Sequence, residues 1–118
     1  LNFLGYISDI RDQLKLHSVL ILPTFYREGS PRTIQESIAC GRPFITTNIP
    51  GCKELLDNGM NGYQCKINDS TNLSMIIIDI INNKSDLEIK SQNCKKYAEK
   101  HLDSKIINER FIKFLGIK

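Results

Sequence analysis

No two cysteines in this 118-residue chain are spaced as Cys-x-x-Cys. Cys40, Cys52, Cys65 and Cys94 stand apart, and the two histidines, His17 and His101, lie far from each other. That spacing argues against a zinc site and fits single, partly buried thiols in a reducing cytoplasm. There is no Asp-x-Asp pair to hold a divalent ion either. The longest apolar run, "MIIIDII" at 75–81, is interrupted by Asp79 and falls far short of the ~20 residues that cross a bilayer. No arginine-rich strip alternates with aromatics, and a net charge of +3 is too small to point to nucleic acid. No signal peptide is visible. The chain opens without methionine on "LNFLGY", so it is expected to be a piece of something longer.

What is present is the composition of one ordinary globular domain, with 41% hydrophobic and 25% charged residues. From residue 80 onward nine Lys/Arg stand against five Asp/Glu. This basic end reads first as a solvated helical face. It would also suit a peripheral position on an anionic membrane surface.

Patterning divides the chain into alternating elements. "LNFLGY" reads as a strand. Ser8 is expected to cap a helix, "DIRDQLKLH", with Asp9 in its first turn and Ile10, Leu14 and Leu16 at helical spacing. "SVLILP" at 18–23 is a continuous apolar run of the kind buried on both faces of a parallel sheet. "TFYREGSP" is loop. "RTIQESIAC" is helix, with Ile34 and Ile38 on one face and Gly41 just past its end. Residues 43–47 make the next strand, "CKELLD" a short helix stopped by Asn58-Gly59, and "GYQCKI" a fourth strand. "NDST" starts a helix running to about 82, and two more follow, over 86–101 and 104–115. Strand-helix alternation of this kind specifies an α/β fold, a Rossmann-like doubly wound parallel sheet of about four strands with C-terminal helices.

Residues 28–36, "EGSPRTIQE", place a glutamate on each side of a helix start. In a doubly wound sheet the loop after a strand's carboxyl end is where ligands bind, and the free N–H groups there attract an anion. Gly29 admits close approach to the backbone, Pro31 suits helix entry, and the amides of Arg32 and Thr33 are left as anion contacts. Glu28 would be repelled by that anion and fits sugar hydroxyls better. Glu36, one turn down the helix, is placed to accept from a ribose diol. The alternative is that both glutamates are ordinary surface. Arg27 and Arg32 either balance a diphosphate or are solvated. Tyr26 stacks on a base or packs on its own loop. Thr46 and Thr47 face the cleft or satisfy local backbone, and Glu54 is a charge at a helix start.

"FLGY" followed by "VLILPTFYREGSPRTIQESIACGRPFITTNIPGCKELLDNGMNGY" resembles the C-terminal domain of the family 4, or group 1, retaining glycosyltransferases of GT-B fold. Their Glu, seven residues, Glu signature matches Glu28 through Glu36. The resemblance implies that residues 1–118 are a truncated nucleotide-sugar-binding domain, the donor half of an enzyme that moves a sugar from a nucleotide-diphosphate sugar to an acceptor hydroxyl. Glu28 is then the catalytic-site glutamate that contacts donor sugar hydroxyls, and Glu36 holds the ribose. Gly29, Ser30, Arg32 and Thr33 line the sugar and diphosphate. No metal or other cofactor is implied. Gly-Ser-Pro in place of the family's commoner Gly-Phe-Gly resembles a subgroup of bacterial surface polysaccharide assembly. The implied acceptor is a glycan or lipid-linked sugar bound through an N-terminal domain, and the implied location is cytoplasmic, peripheral at the inner membrane face. A non-catalytic nucleotide-sugar-binding module or a GT-B epimerase would share the fold. The 118 residues alone are expected to bind donor feebly and to transfer nothing. With the classic strand order 3-2-1-4-5-6, "NFLGY" is strand 3 and "VLILP" strand 4, so "NFLGY" is expected to move beside "VLILP", or that edge to pair with another copy.

Overall fold

The structure is a computed structural model and describes residues 1–27 and 29–116. Phe44, Ile45, Thr46 and Thr47 are all buried, and this fixes the middle of the sheet, because only a central strand is covered on both faces and both edges. β1 (Leu20–Leu22) and β3 (Gly62–Cys65) flank β2 (Phe44–Thr47), and both pairings are parallel. In register, Leu20 stands beside Phe44 and Ile45 beside Tyr63. The alternation of side chains along β2 then divides the core. Phe44 belongs to a cluster with Ile34, Ile38, Ile49, Cys52, Leu55 and Cys94. Ile45 belongs to a second cluster with Cys65 and Ile80.

The helices follow from that division. α1 spans Arg11–Leu16, α2 Arg32–Ala39, α3 Ser70–Asn82, α4 Lys84–His101 and α5 Ser104–Leu115, and a single 3-10 turn covers Lys53–Leu55. α2 and α4 cover the Phe44 face, whereas α3 covers the Ile45 face. Helices on both faces of a parallel sheet make the fold doubly wound, as the sequence specifies. Asp69 caps α3 by accepting from Asn72 N at 2.7 Å, and Asn83 caps α4 by accepting from Asp86 N at 3.2 Å. Gly41 follows α2 with φ +68, the left-handed position expected there.

Two expectations fail at the N-terminal end. Residues 1–6 form no strand and lie exposed, and among the described residues the sheet has three strands. Gly5, at φ +66, interrupts the extended backbone, and a strand persists only where a neighbour takes its hydrogen bonds. "NFLGY" therefore does not move beside β1, whose outer edge is unpaired among the described residues. The second correction concerns Ser8. The N-cap of α1 is Ile10, which offers no side-chain acceptor. Asp9 takes the first free amide instead, accepting from Arg11 N at 3.0 Å.

Residues 56–61 join the 3-10 turn to β3, and two Asn-Gly pairs, 58–59 and 61–62, fall along this link and the strand's first residue. Asn58 and Asn61 are held very differently. Asn58 and Gly59 both have positive φ, 48 and 78, in an exposed turn. Asn61 is fully buried. Its Oδ1 accepts from Asp57 N at 3.0 Å and its Nδ2 donates to Leu55 O at 2.8 Å. The Cys94 thiol donates to the Asn61 carbonyl at 3.1 Å, which ties α4 to the start of β3. Burial pushes that thiol up to about 12, so it stays protonated and serves the core.

Candidate functional site

The start of α2 is set by its buried ridge. Ile34 and Ile38 are completely buried against Phe44, and this holds the helix on the sheet with its first turn beyond the carboxyl end of β1. Pro31 occupies the N-cap with φ −60, the value its ring prefers. Its carbonyl accepts from Ile34 N at 3.1 Å and Gln35 N at 3.2 Å. Proline has no side-chain acceptor, so the cap residue itself leaves the amides of Arg32 and Thr33 to other partners.

The loop before α2 is fastened from two sides. Thr46 Oγ1 donates to Leu22 O at 3.0 Å, and Thr47 Oγ1 donates to Thr24 O. Both threonines are fully buried, so they satisfy backbone at the end of β1 rather than face a ligand. From the helix side, Gln35 Nε2 donates to Ser30 Oγ at 2.9 Å and to Ser30 O at 3.3 Å. Gly29 and Ser30 are exposed, and a Cβ built on Gly29 would meet nothing within 4 Å. No contact among the described residues demands glycine there, and the space in front of its backbone is open.

Glu36 lies one turn inside the helix, and its Oε1 accepts from Arg32 Nε at 3.1 Å. This pair does little for the fold. The Arg32 side chain is 89% exposed, and exposed ion pairs contribute little. Arginine before glutamate is also the less favourable order, with a cation where the helix dipole prefers an anion. Arg32 and Glu36 form one wall of a cleft of about 420 Å³, and Ser8, Asp9, Ile10 and Arg11 form the other. Asp9 is already committed there. Its Oδ2 accepts from the Arg11 guanidinium at 2.5 Å, and this hydrogen bond holds its carboxyl down at about 2. A second cleft of about 320 Å³ opens at the same end of the sheet, between Pro23 of β1's exit and Cys65, Lys66, Asn68, Asp69, Ser70 and Leu73.

Gly29, Ser30, Arg32, Thr33 and Glu36 are thus together at one helix start, as the sequence predicts. Glu28 lies outside the described residues. Tyr26 is exposed and leans on Phe25, with ring centroids 4.2 Å apart. Glu54 accepts from Gly51 N at 2.6 Å and so closes its own turn. Sequence reasoning did not assign Asp9, Arg11 or Gln35 to the site. Asp9 and Arg11 reach it only through the packing of α1 on α2, which no local spacing encodes.

The architecture has counterparts in known proteins. The family model described as glycosyl transferases group 1 matches residues 1–101. An N,N'-diacetylbacillosaminyl-diphospho-undecaprenol alpha-1,3-N-acetylgalactosaminyltransferase of Campylobacter jejuni is 30% identical over 114 residues, which is 95% of this chain and 29% of that protein. A UDP-Gal:alpha-D-GlcNAc-diphosphoundecaprenol alpha-1,3-galactosyltransferase of Escherichia coli is 34% identical over 95 residues, 80% of this chain and 24% of that protein. The crystal structure of Anabaena HepE in complex with UDP superposes with a TM-score of 0.90 at 25% identity, covering 97% of this chain and 31% of that one. The same protein is also known in complex with UDP-glucose. The chain spans less than a third of the length of these relatives.

Proposed function

The chain belongs to the glycosyl transferases group 1 family, and from that premise we propose that it is the C-terminal, donor-binding domain of a retaining GT-B glycosyltransferase. The enzyme moves a sugar from a uridine-diphosphate donor to a lipid-linked saccharide at the cytoplasmic face of the membrane, in the assembly of a surface glycan. The observation that carries this reading is the place of Glu36. It sits one turn inside a helix whose N-terminus opens at the carboxyl end of β1, with its carboxylate on the wall of a cleft. A diphosphate over that helix start puts the ribose within reach of Glu36. The complexes of HepE with UDP and UDP-glucose support the donor class. The names of the Campylobacter and Escherichia relatives support the acceptor class.

In this reading Glu28 contacts hydroxyls of the donor sugar in the catalytic site. The backbone of Gly29, Ser30, Arg32 and Thr33 faces the sugar and the diphosphate. As the sugar-phosphate bond breaks, negative charge grows on the departing diphosphate. The amides at the start of α2 are fixed in advance toward that charge, and the Arg32 side chain adds to them. Such stabilisation substitutes for a divalent ion. Transfer of labelled sugar from UDP-sugars to an undecaprenol-diphosphate-linked saccharide by the full-length enzyme is therefore expected to persist in excess chelator. Transfer abolished by chelation and restored by magnesium or manganese would remove the metal-free mechanism. Failure with every UDP-sugar would remove the donor assignment. The isolated 118 residues serve as the control and should transfer nothing.

A further inference from the structure

The contact between Gln35 and Ser30 has a direction that can be read from its atoms. The Ser30 carbonyl oxygen, 3.3 Å from the Gln35 amide, can only accept, so the amide presents its NH2 group. The Ser30 hydroxyl lies 2.9 Å from that same nitrogen, so its oxygen accepts too. A hydroxyl that spends a lone pair inward keeps its proton for another direction. Ser30 is exposed, and it stands just before the N-cap of α2. Its free proton therefore belongs to whatever acceptor occupies the space in front of the helix start.

We propose that Gln35 is a positioning residue that makes Ser30 an outward hydrogen-bond donor to a phosphate oxygen of the nucleotide. This rests on the donor-site reading above and adds a side-chain contact to the backbone amides there. Gln35 never meets the ligand. It fixes the Ser30 carbonyl and hydroxyl in one geometry, so the turn does not have to be ordered when the nucleotide arrives.

The test is a double-mutant cycle on UDP binding to the full-length transferase. Ser30→Ala should weaken UDP about tenfold, the worth of one hydrogen bond to a charged group. Gln35→Glu keeps the shape but can only accept. It turns the Ser30 proton inward and brings a negative charge near the phosphates. That charge acts in both backgrounds, whereas the loss of the Ser30 proton acts in only one. Gln35→Glu should therefore cost about tenfold less in the Ser30→Ala background than in the natural one. Equal cost in both backgrounds would show repulsion alone and overturn the proposal. Gln35→Met, neutral and of similar size, covers the case in which Gln35→Glu does not fold. Its loss of UDP affinity should shrink in the Ser30→Ala background, and an undiminished loss would overturn the proposal too. Glu36→Gln is the reference. If it leaves UDP affinity untouched, the donor-site reading fails first. If it weakens UDP while the cycle is additive, only the role of Gln35 fails.

Discussion

Glu36→Gln in the full-length transferase is expected to weaken donor binding by about 10- to 150-fold, the equivalent of ~1.5–3 kcal/mol for a charge-assisted hydrogen bond. The substitution keeps the volume of the side chain and removes its charge, and it puts an NH2 donor where a hydroxyl needs an acceptor. Arg32 already holds Oε1 of Glu36, which leaves Oε2 as the better acceptor for the ribose. That geometry narrows the expectation of two equal bonds to a diol. One of the two hydroxyls should matter more, and donors lacking the 2′- or the 3′-hydroxyl separate them. In a cycle between Glu36→Gln and each deoxyribose donor, the loss in the protein and the loss in the donor should overlap for one hydroxyl. Additive losses for both donors would show that Glu36 does not hold the ribose.

The largest effect on stability is expected at Ile34. Ile34→Ala should lower the unfolding free energy by ~2–5 kcal/mol, a large share of the ~5–15 kcal/mol that holds a typical domain together. Ile34 is completely buried in a cluster to which α2, β2, the 3-10 turn and α4 all contribute, and elements held by their own packing collapse only partly into the gap. Ile107, 47% exposed on α5, is the comparison, where the same substitution should cost ~0.5 kcal/mol or less. Denaturant midpoints at unchanged slope measure both. A loss at Ile34 no greater than at Ile107 would mean that α2 is not held by this ridge. The same ridge positions the start of α2, so with the donor bound there as proposed, the loss of stability and the loss of donor affinity should appear together.

The parts of the fold that could be read from the residues are those fixed by neighbours along the chain. Apolar runs ended by proline located β1 and β2. Asp69 and Gly41 marked helix ends, because capping is decided within a turn. The run "LNFLGY" misled because strand identity belongs to pairs of segments, and Gly5 at φ +66 breaks the extended backbone that the open edge of β1 would need beside it. Ser8 misled for a smaller reason, since Asp9, one residue later, offers a stronger acceptor to the Arg11 amide. At the site, Ser30, Arg32 and Glu36 were legible as one loop and one helical turn. The opposite wall, Asp9 and Arg11, was not, because its approach depends on how α1 settles against α2.

The two Asn-Gly pairs at 58–59 and 61–62 should age at different rates. Asparagine before glycine loses its amide when the following backbone nitrogen attacks the side-chain carbonyl and closes a succinimide ring. Asn58 lies in an exposed turn and can swing into that geometry. The carboxamide of Asn61 is held at both ends, by Asp57 N and Leu55 O, and Gly62 begins β3. Closing the ring there requires the 3-10 turn to come apart first. Peptide mapping after long incubation at mildly alkaline pH should find isoaspartate at 58 while 61 remains intact, and equal conversion at both would mean that the Asn61 lock opens freely. The conversion at 58 makes exposed surface more acidic at a turn remote from the α2 start, so an old preparation should drift in charge while its nucleotide affinity stays constant.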